Sequence, residues 1–247
     1  MSTLRRVNTF TWLTLKDYVR SGRVLIELTL AVAFWGLFFQ KYAGFTFSQV
    51  FHLGGLFTLL LTLYTTSSML GLADRAQGYI LLTRPLGRRG YLLGIYVAAV
   101  LVVWLAFALI IVLTLLVNRP VDFSWRDLLL GGVPTLLNVA LLAALMVLIS
   151  SLVLKNVPRL LLLAALAIAL YSNSWPQARS NRILAALQTT FSWLLMPGMK
   201  GYQLAETRVY SGGGSAILLA QLAMTVLLLS LALIAFTRRD LILSTRA

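Results

Sequence analysis

Residue types that carry out chemistry are scarce in this chain. It has no cysteine and a single histidine, His52, which excludes thiolate metal sites, cysteine nucleophiles and a zinc site built from histidines of this chain. Every acidic residue except Glu27 lies outside the apolar segments, so no carboxylate pair is placed in one segment for acid–base work. Neither a Gly-x-Ser-x-Gly nor a Gly-x-x-x-x-Gly-Lys-[Ser/Thr] motif is present. We therefore expect no enzymatic activity and no metal site in this chain.

Glu27 is the exception, because it falls inside an apolar segment. If that segment crosses a membrane, an acid within it is a functional residue by default, in proton transfer or cation binding. Arg23 lies four residues earlier on the same helical face, however, and an i,i+4 pair near the membrane edge also accounts for Glu27. The structural Arg23–Glu27 pair is the favoured interpretation.

Hydroxyl and amide side chains form a second group of candidates. Four threonines share one face of the apolar segment 49–73, and an asparagine lies in the polar end of segment 160–175. These side chains are candidates for lining a substrate pathway, although ordinary helix–helix contacts in a membrane account for the threonines equally well. An interfacial cap is the favoured interpretation of the asparagine. The candidates are Thr58, Thr62, Thr65, Thr66 and Asn173.

Composition identifies the elements that must position these residues. The chain of 247 residues is 60% hydrophobic and 11% charged, with a mean hydropathy of +0.88. Soluble domains are about 45–50% apolar and about 25% charged, so this is a membrane protein rather than a soluble one. The net charge of +14 would suggest nucleic acid in a soluble chain, but here it indicates basic cytoplasmic loops and no nucleic-acid partner.

Six apolar segments have about the length that a helix needs to cross a bilayer. We therefore predict one all-α transmembrane domain over residues 1–247, with membrane lipid around it. An amphipathic interface helix over residues 4–20 precedes the spans, with Arg5, Arg6, Lys16, Asp17 and Arg20 on its polar face. The predicted spans are 24–43, 49–73, 91–117, 133–154, 160–175 and 215–236.

Charge asymmetry predicts the orientation. The N-terminal segment, the connections between spans two and three and between spans four and five, and the C-terminus hold twice as many Lys and Arg residues as the opposite loops. Because basic loops stay in the cytoplasm, we expect both termini to be cytoplasmic in a plasma (inner) membrane.

Two connections carry their own patterns. In residues 74–90, Asp74 is placed to cap a short helix, Ile80-Leu81-Leu82 gives that helix an apolar core, and Arg84-Pro85 ends it. This short helix fits either a groove in a partner or a simple interfacial turn. The outer segment 176–214 is long for a loop, and we expect a re-entrant or interfacial helix ending at Pro197-Gly198.

Residues 74–94, DRAQGYILLTRPLGRRGYLLG, are similar to the connection between spans two and three in permease subunits of type-2 ABC exporters. The ending FTRRDL at 236–241 also resembles that family. Tyr79 and Ile95 stand where the family commonly has Thr and Lys. The matching positions are Asp74, Gly78, Leu81, Leu82, Pro85, Arg88, Tyr91 and Gly94.

The resemblance implies a permease subunit that pairs with a copy of itself or a related permease. Each subunit would dock a separate ABC ATPase, which binds ATP and Mg, so that this chain needs no cofactor. The exported substrate would be lipid-like, amphipathic or drug-like and would cross at the dimer interface. A stand-alone channel or secondary transporter, and less favourably a lipid-modifying enzyme, stay as alternatives. The implied docking residues are Asp74, Gly78, Ile80, Leu81, Leu82, Arg84, Pro85, Arg88 and Arg89.

Overall fold

The computed structural model describes residues 3–39, 44–73, 87–154, 157, 159–160 and 182–238. All regular structure in these ranges is helical, as expected. The helices are α1 (Thr3–Arg20), α2 (Arg23–Phe38), α3 (Phe47–Ala73), α4 (Gly87–Val117), α5 (Trp125–Ile149), α6 (Arg182–Thr207) and α7 (Gly214–Arg238).

Four of these helices are long and apolar enough to cross a membrane, namely α3, α4, α5 and α7. The pair α1–α2 counts as a fifth crossing if the two bent helices form one broken span. The chain is therefore a multi-pass, membrane-embedded helical protein. The described residues do not establish six spans. The expected span 24–43 corresponds to α2, whose 16 residues count as a crossing only together with α1, and residues 161–175 of the expected span 160–175 lie outside the described residues.

The junction of α1 and α2 bends the chain by 73°. Gly22 has φ 74° and ψ −2°, the left-handed conformation in which glycine commonly ends a helix. The amides of Ser21 and Gly22 donate to the carbonyls of Asp17 (2.9 Å) and Val19 (3.1 Å), which closes the last turn of α1. The helix expected over residues 4–20 is confirmed, and its basic residues are exposed. Its position at the membrane surface stays a prediction.

Helix α5 begins at Trp125, earlier than the expected start at 133, and runs through Pro134. The side chain of Ser124 accepts a hydrogen bond from the Arg126 amide (3.2 Å), which caps its first turn. Because proline has no N–H, the carbonyl of Leu130 loses its helical partner. The Tyr210 hydroxyl donates to that carbonyl instead (2.7 Å), so the helix continues across the proline.

Two other helices also extend past their expected ends. Helix α4 begins at Gly87, before the expected residue 91. Helix α6 continues through Pro197 to Thr207, whereas the pattern predicted an end at Pro197-Gly198. Packing of α6 against α5 and α7 sustains it, since tertiary contacts commonly decide helix length. Re-entrance of segment 176–214 stays a prediction.

The buried core has two clusters along the bundle. One joins α1, α3, α4, α5 and α7 around Leu92, Ala144 and Phe236. The other joins α2, α3, α4, α5 and α6 around Phe51, Val103 and Ile110, and it contains several aromatic rings. Helices α1 and α2 both pack against α4, and α2 also contacts α3. Helices α3 and α4 border residues 74–86.

Candidate functional site

A buried carboxylate joins the first three helices. Glu27 on α2 is fully buried, and its Oε1 accepts hydrogen bonds from the Tyr18 hydroxyl on α1 (2.6 Å) and the Thr65 hydroxyl on α3 (2.5 Å). The other oxygen, Oε2, is buried without a hydrogen-bond partner among the described residues. Glu27 therefore connects α1 to α3 through one oxygen and leaves the other unused.

The contacts of Arg23 and Glu27 correct the expected ion pair. The Arg23 guanidinium donates to the carbonyl of Ser68 on α3 (3.2 Å), and the Glu27 carboxylate takes its two donors from Tyr18 and Thr65. The reason is the bend at Gly22, which brings the end of α1 over the first turns of α2. Sequence spacing on one helix does not reveal this, because Tyr18 precedes the bend and Thr65 belongs to a third helix.

The four threonines of α3 are buried inside the bundle. Thr58 and Thr62 donate to carbonyls of their own helix, those of Gly55 (2.8 Å) and Thr58 (2.5 Å). Thr65 donates to Glu27, and the hydroxyl of Thr66 has no partner among the described residues. These contacts favour a role inside the chain, and a substrate pathway along this face stays a prediction. Asn173 lies outside the described residues.

The docking residues predicted between 74 and 86 lie outside the described residues, but the two helices that border this segment are described. At the start of α4, the Arg88 guanidinium donates to the Thr237 carbonyl of α7 (3.2 Å), and Arg89 is exposed. The Phe10 ring of α1 lies 5.2 Å from the Tyr91 ring. Helix α1 is thus packed on the first turns of the helix that follows the loop.

Gly94 explains how α1 approaches α4 so closely. A Cβ at Gly94 would overlap the Phe10 ring and would lie 3.4 Å from the Thr11 hydroxyl. The spacing Gly90-x-x-x-Gly94 predicts such a contact, since small residues let helices approach. The structure confirms close packing at Gly94 and identifies α1 as the helix in contact.

An ionic cluster at the opposite end of the bundle from the α1–α4 contact connects the start of α3, the start of α5 and the turn after α6. The Asp122 carboxylate accepts from the Phe47 amide (2.7 Å) and pairs with the Arg208 guanidinium (3.1 Å), which also lies 3.8 Å from Asp127. Burial alone would raise the pKa of Asp122, but these hydrogen bonds and the positive charge outweigh burial and hold the pKa below its ordinary value. Arg208, the first residue after α6, has φ 58°, in the left-handed region.

His52 lies near this cluster at the rim of a cavity of about 470 Å³. Its Nδ1 is 3.4 Å from a carboxylate oxygen of Glu206, and its carbonyl accepts from the Tyr202 hydroxyl (2.6 Å). Both His52 and Glu206 are partly exposed. Within the described part of the chain, no three His, Asp or Glu side chains come together to hold a metal.

A buried amide pair was not anticipated from the sequence. Gln221 on α7 donates through Nε2 to Oδ1 of Asn138 on α5 (2.6 Å), and both side chains are buried. Gly201 on α6 faces the same amide, which a Cβ there would overlap. The sequence pattern that could have predicted this pair is a single amide residue in each of two long apolar segments, because polar residues within spans commonly contact one another.

Comparison with known proteins finds no match among family models, curated proteins or solved structures. The fold itself defines the class, a multi-pass helical membrane protein. Its distinctive geometry is a bent N-terminal helix pair that is hydrogen-bonded to α3 through Glu27 and packed against α4.

Proposed function

We propose that this chain is the membrane-spanning permease subunit of an ATP-driven exporter of the ABC class. Separate ATPase subunits would bind ATP and Mg and dock on its cytoplasmic side. Two permease chains, identical or related, would form the export route at their interface. The chain would lie in the plasma (inner) membrane with both termini in the cytoplasm.

The position of α1 is the observation that carries this proposal. Helix α1 is amphipathic, stands at 73° to α2 and packs against the first turns of α4. Helix α3 ends at Ala73 and helix α4 begins at Gly87, so the segment that joins them starts from the end of the bundle where α1 packs on α4. Such a pair of neighbouring cytoplasmic elements suits a subunit that receives force from a partner.

The loop sequence supports docking. Leu81 and Leu82 are adjacent apolar residues between basic positions, with Arg84 before the proline and Arg88 and Arg89 after it. An apolar centre with a charged rim is the usual composition of a protein–protein contact. The resemblance of residues 74–94 to type-2 ABC exporter permeases supports the same assignment.

The proposal of a separate ATPase rests on the absence of a phosphate-binding motif from this sequence. The sequence has no Gly-x-x-x-x-Gly-Lys-[Ser/Thr] loop, whose backbone amides and lysine cradle nucleotide phosphates. Energy from ATP would therefore reach this chain as mechanical work. A secondary transporter or channel of its own is the alternative, and the buried Glu27 is the observation that favours it.

The substrate class rests on the apolar character of the outward surfaces. Helix α7 exposes Leu219, Leu222, Val226 and Leu231 on its outer side. A surface of this kind suits membrane lipid or an interface that carries a lipid-like, amphipathic or drug-like substrate.

Co-purification tests the proposal. The double substitution L81D/L82D introduces two charges into the apolar centre of the loop, so we expect it to abolish capture of an ATP-hydrolysing partner from native membranes while membrane insertion stays normal. V121D is the matched control, because Val121 is 81% exposed at the opposite end of the bundle. A wild-type chain that purifies without any ATPase, or equal capture by L81D/L82D, would contradict the proposal.

A further inference from the structure

Glu27 has a free acceptor position inside the protein. Its Oε1 accepts two hydroxyl groups at 2.6 and 2.5 Å, which are distances typical of hydrogen bonds to a charged carboxylate. Its Oε2 is equally buried and has no donor among the described residues. Buried polar atoms normally have a partner, so an unpaired carboxylate oxygen calls for a specific explanation.

The charge of Glu27 is also incompletely balanced by the groups that face it. Arg23 is one turn away on α2, but its guanidinium donates to the Ser68 carbonyl. The other helices packed on α2 contribute tyrosines near this site, Tyr18 from α1 and Tyr64 from α3. Helix α4 has no acidic residue, its tyrosines Tyr91 and Tyr96 are buried, and its charges lie in its first turn at Arg88 and Arg89.

We propose that Glu27 is a proton-binding site whose occupancy controls how firmly α1 is held to α2 and α3. An isolated buried carboxylate is costly, and a proton removes its charge at the smallest steric cost. Hydrogen bonds to a charged group are roughly twice as strong as neutral ones. Proton uptake therefore weakens the bonds from Tyr18 and Thr65, which are the polar link between α1 and α3.

The position of Glu27 on α2 gives protons a short route. It lies four residues after Arg23, where α2 begins, which is about 6 Å along the helix axis. The bend at Gly22 and the exposed end of α1 lie next to the start of α2. The site thus senses the pH on the side of the membrane where α1 lies. This inference requires no ATPase partner and goes beyond the proposed function.

Infrared spectroscopy on the purified full chain in lipid nanodiscs tests proton binding directly. The carbonyl band of a protonated carboxyl is followed between about pH 4 and about pH 9, the range over which normal and buried carboxyls titrate. The wild-type minus E27Q difference isolates Glu27. The wild-type minus D17N difference isolates a matched control, because Asp17 is an exposed acid on α1.

The expected result is a Glu27 band that titrates within this range. We also expect Y18F to move the Glu27 midpoint to higher pH, because it removes one donor to the charged form. A purely structural carboxylate would stay in one form throughout. A Glu27 band that is absent at every pH, or present unchanged at every pH, would overturn the proposal.

A second measurement follows α1 itself. The chain has no cysteine, so N8C on α1 and S67C on α3 place two spin labels at exposed positions without background labelling. We expect the distance distribution between the labels to broaden on acidification in the wild-type background. In E27Q, whose amide imitates the uncharged acid, the broad distribution should be present at every pH. If both backgrounds showed the same pH response, Glu27 would not control how firmly α1 is held, and the proposal would be overturned.

Discussion

The contact between Gly201 and Gln221 allows a quantitative prediction. G201A places a methyl group where the Gln221 amide lies, so the amide must move and its 2.6 Å bond to Asn138 must lengthen or break. Leaving a buried donor or acceptor unpaired costs about 1–3 kcal/mol. Interhelical hydrogen bonds in membranes are on average worth only ~0.6 kcal/mol, because the unfolded chain in the membrane also finds partners.

A second effect acts in the opposite direction. Alanine is about 1 kcal/mol better than glycine within a helix. The overlap adds a displacement cost to the lost hydrogen bond, because α5, α6 and α7 pack closely around this amide. Subtracting the helix gain of about 1 kcal/mol from about 1–3 kcal/mol leaves about 0–2 kcal/mol, so we expect G201A to lower the free energy of unfolding by up to about 2 kcal/mol, with the displacement cost moving the value toward the upper end.

Two glycines provide matched controls. A Cβ at Gly132 has no neighbour within 4 Å, and a Cβ at Gly198 would make ordinary contacts at 3.5 and 3.7 Å. G132A and G198A should therefore be neutral or stabilising by up to about 1 kcal/mol. Reversible unfolding in mixed detergent micelles, followed by circular dichroism, measures all three variants.

A double-mutant cycle assigns the cost to the amide. Q221A removes the group that the new methyl would displace, so G201A should cost less in the Q221A background than in the wild type. Equal costs in both backgrounds, or a G201A chain as stable as G132A, would refute the reasoning about this contact.

Two further predictions concern opposite ends of the bundle. Because the pKa of Asp122 in the folded chain lies below its ordinary value of about 3.9, its stabilising effect is complete above that value and is lost as the pH falls through the folded pKa. The unfolding free energy of wild type should therefore exceed that of D122N by a constant amount, under about 1 kcal/mol, from about pH 7 to about pH 5, and this difference should shrink as the pH falls below about 4. An advantage that grows on acidification would contradict the role given to Arg208. G94V should displace Phe10 and reduce hydrogen-exchange protection in α1, whereas G36V, with nothing within 4 Å of its Cβ, should leave α1 protected; equal protection in both would show that Gly94 does not hold α1.

Local pattern predicts much of this fold. Apolar run length identifies α3, α4, α5 and α7, and amphipathic spacing identifies α1, because burial in lipid and at its surface is set by segments of contiguous sequence. The extension of α5 through Pro134 was not predictable in this way. It depends on the Tyr210 hydroxyl, which lies far away in sequence and reaches Leu130 only after folding.

The candidate site shows the same division. Glu27 was identifiable as a lone acid in an apolar run, but its partners were not. The i,i+4 rule selects Arg23, whereas the left-handed Gly22 turns α1 so that Tyr18 reaches the carboxylate. The amide pair of Asn138 and Gln221 likewise joins two helices whose register only tertiary packing sets.

The central claim is that a separate ATPase powers this chain through the 74–90 loop. The most direct test measures ATP hydrolysis by the captured ATPase after co-reconstitution in vesicles with the wild-type chain, with L81D/L82D and with no permease chain. The account predicts that the wild-type chain stimulates hydrolysis and that L81D/L82D leaves it at the rate of the ATPase alone. Wild-type stimulation by L81D/L82D would contradict the claim.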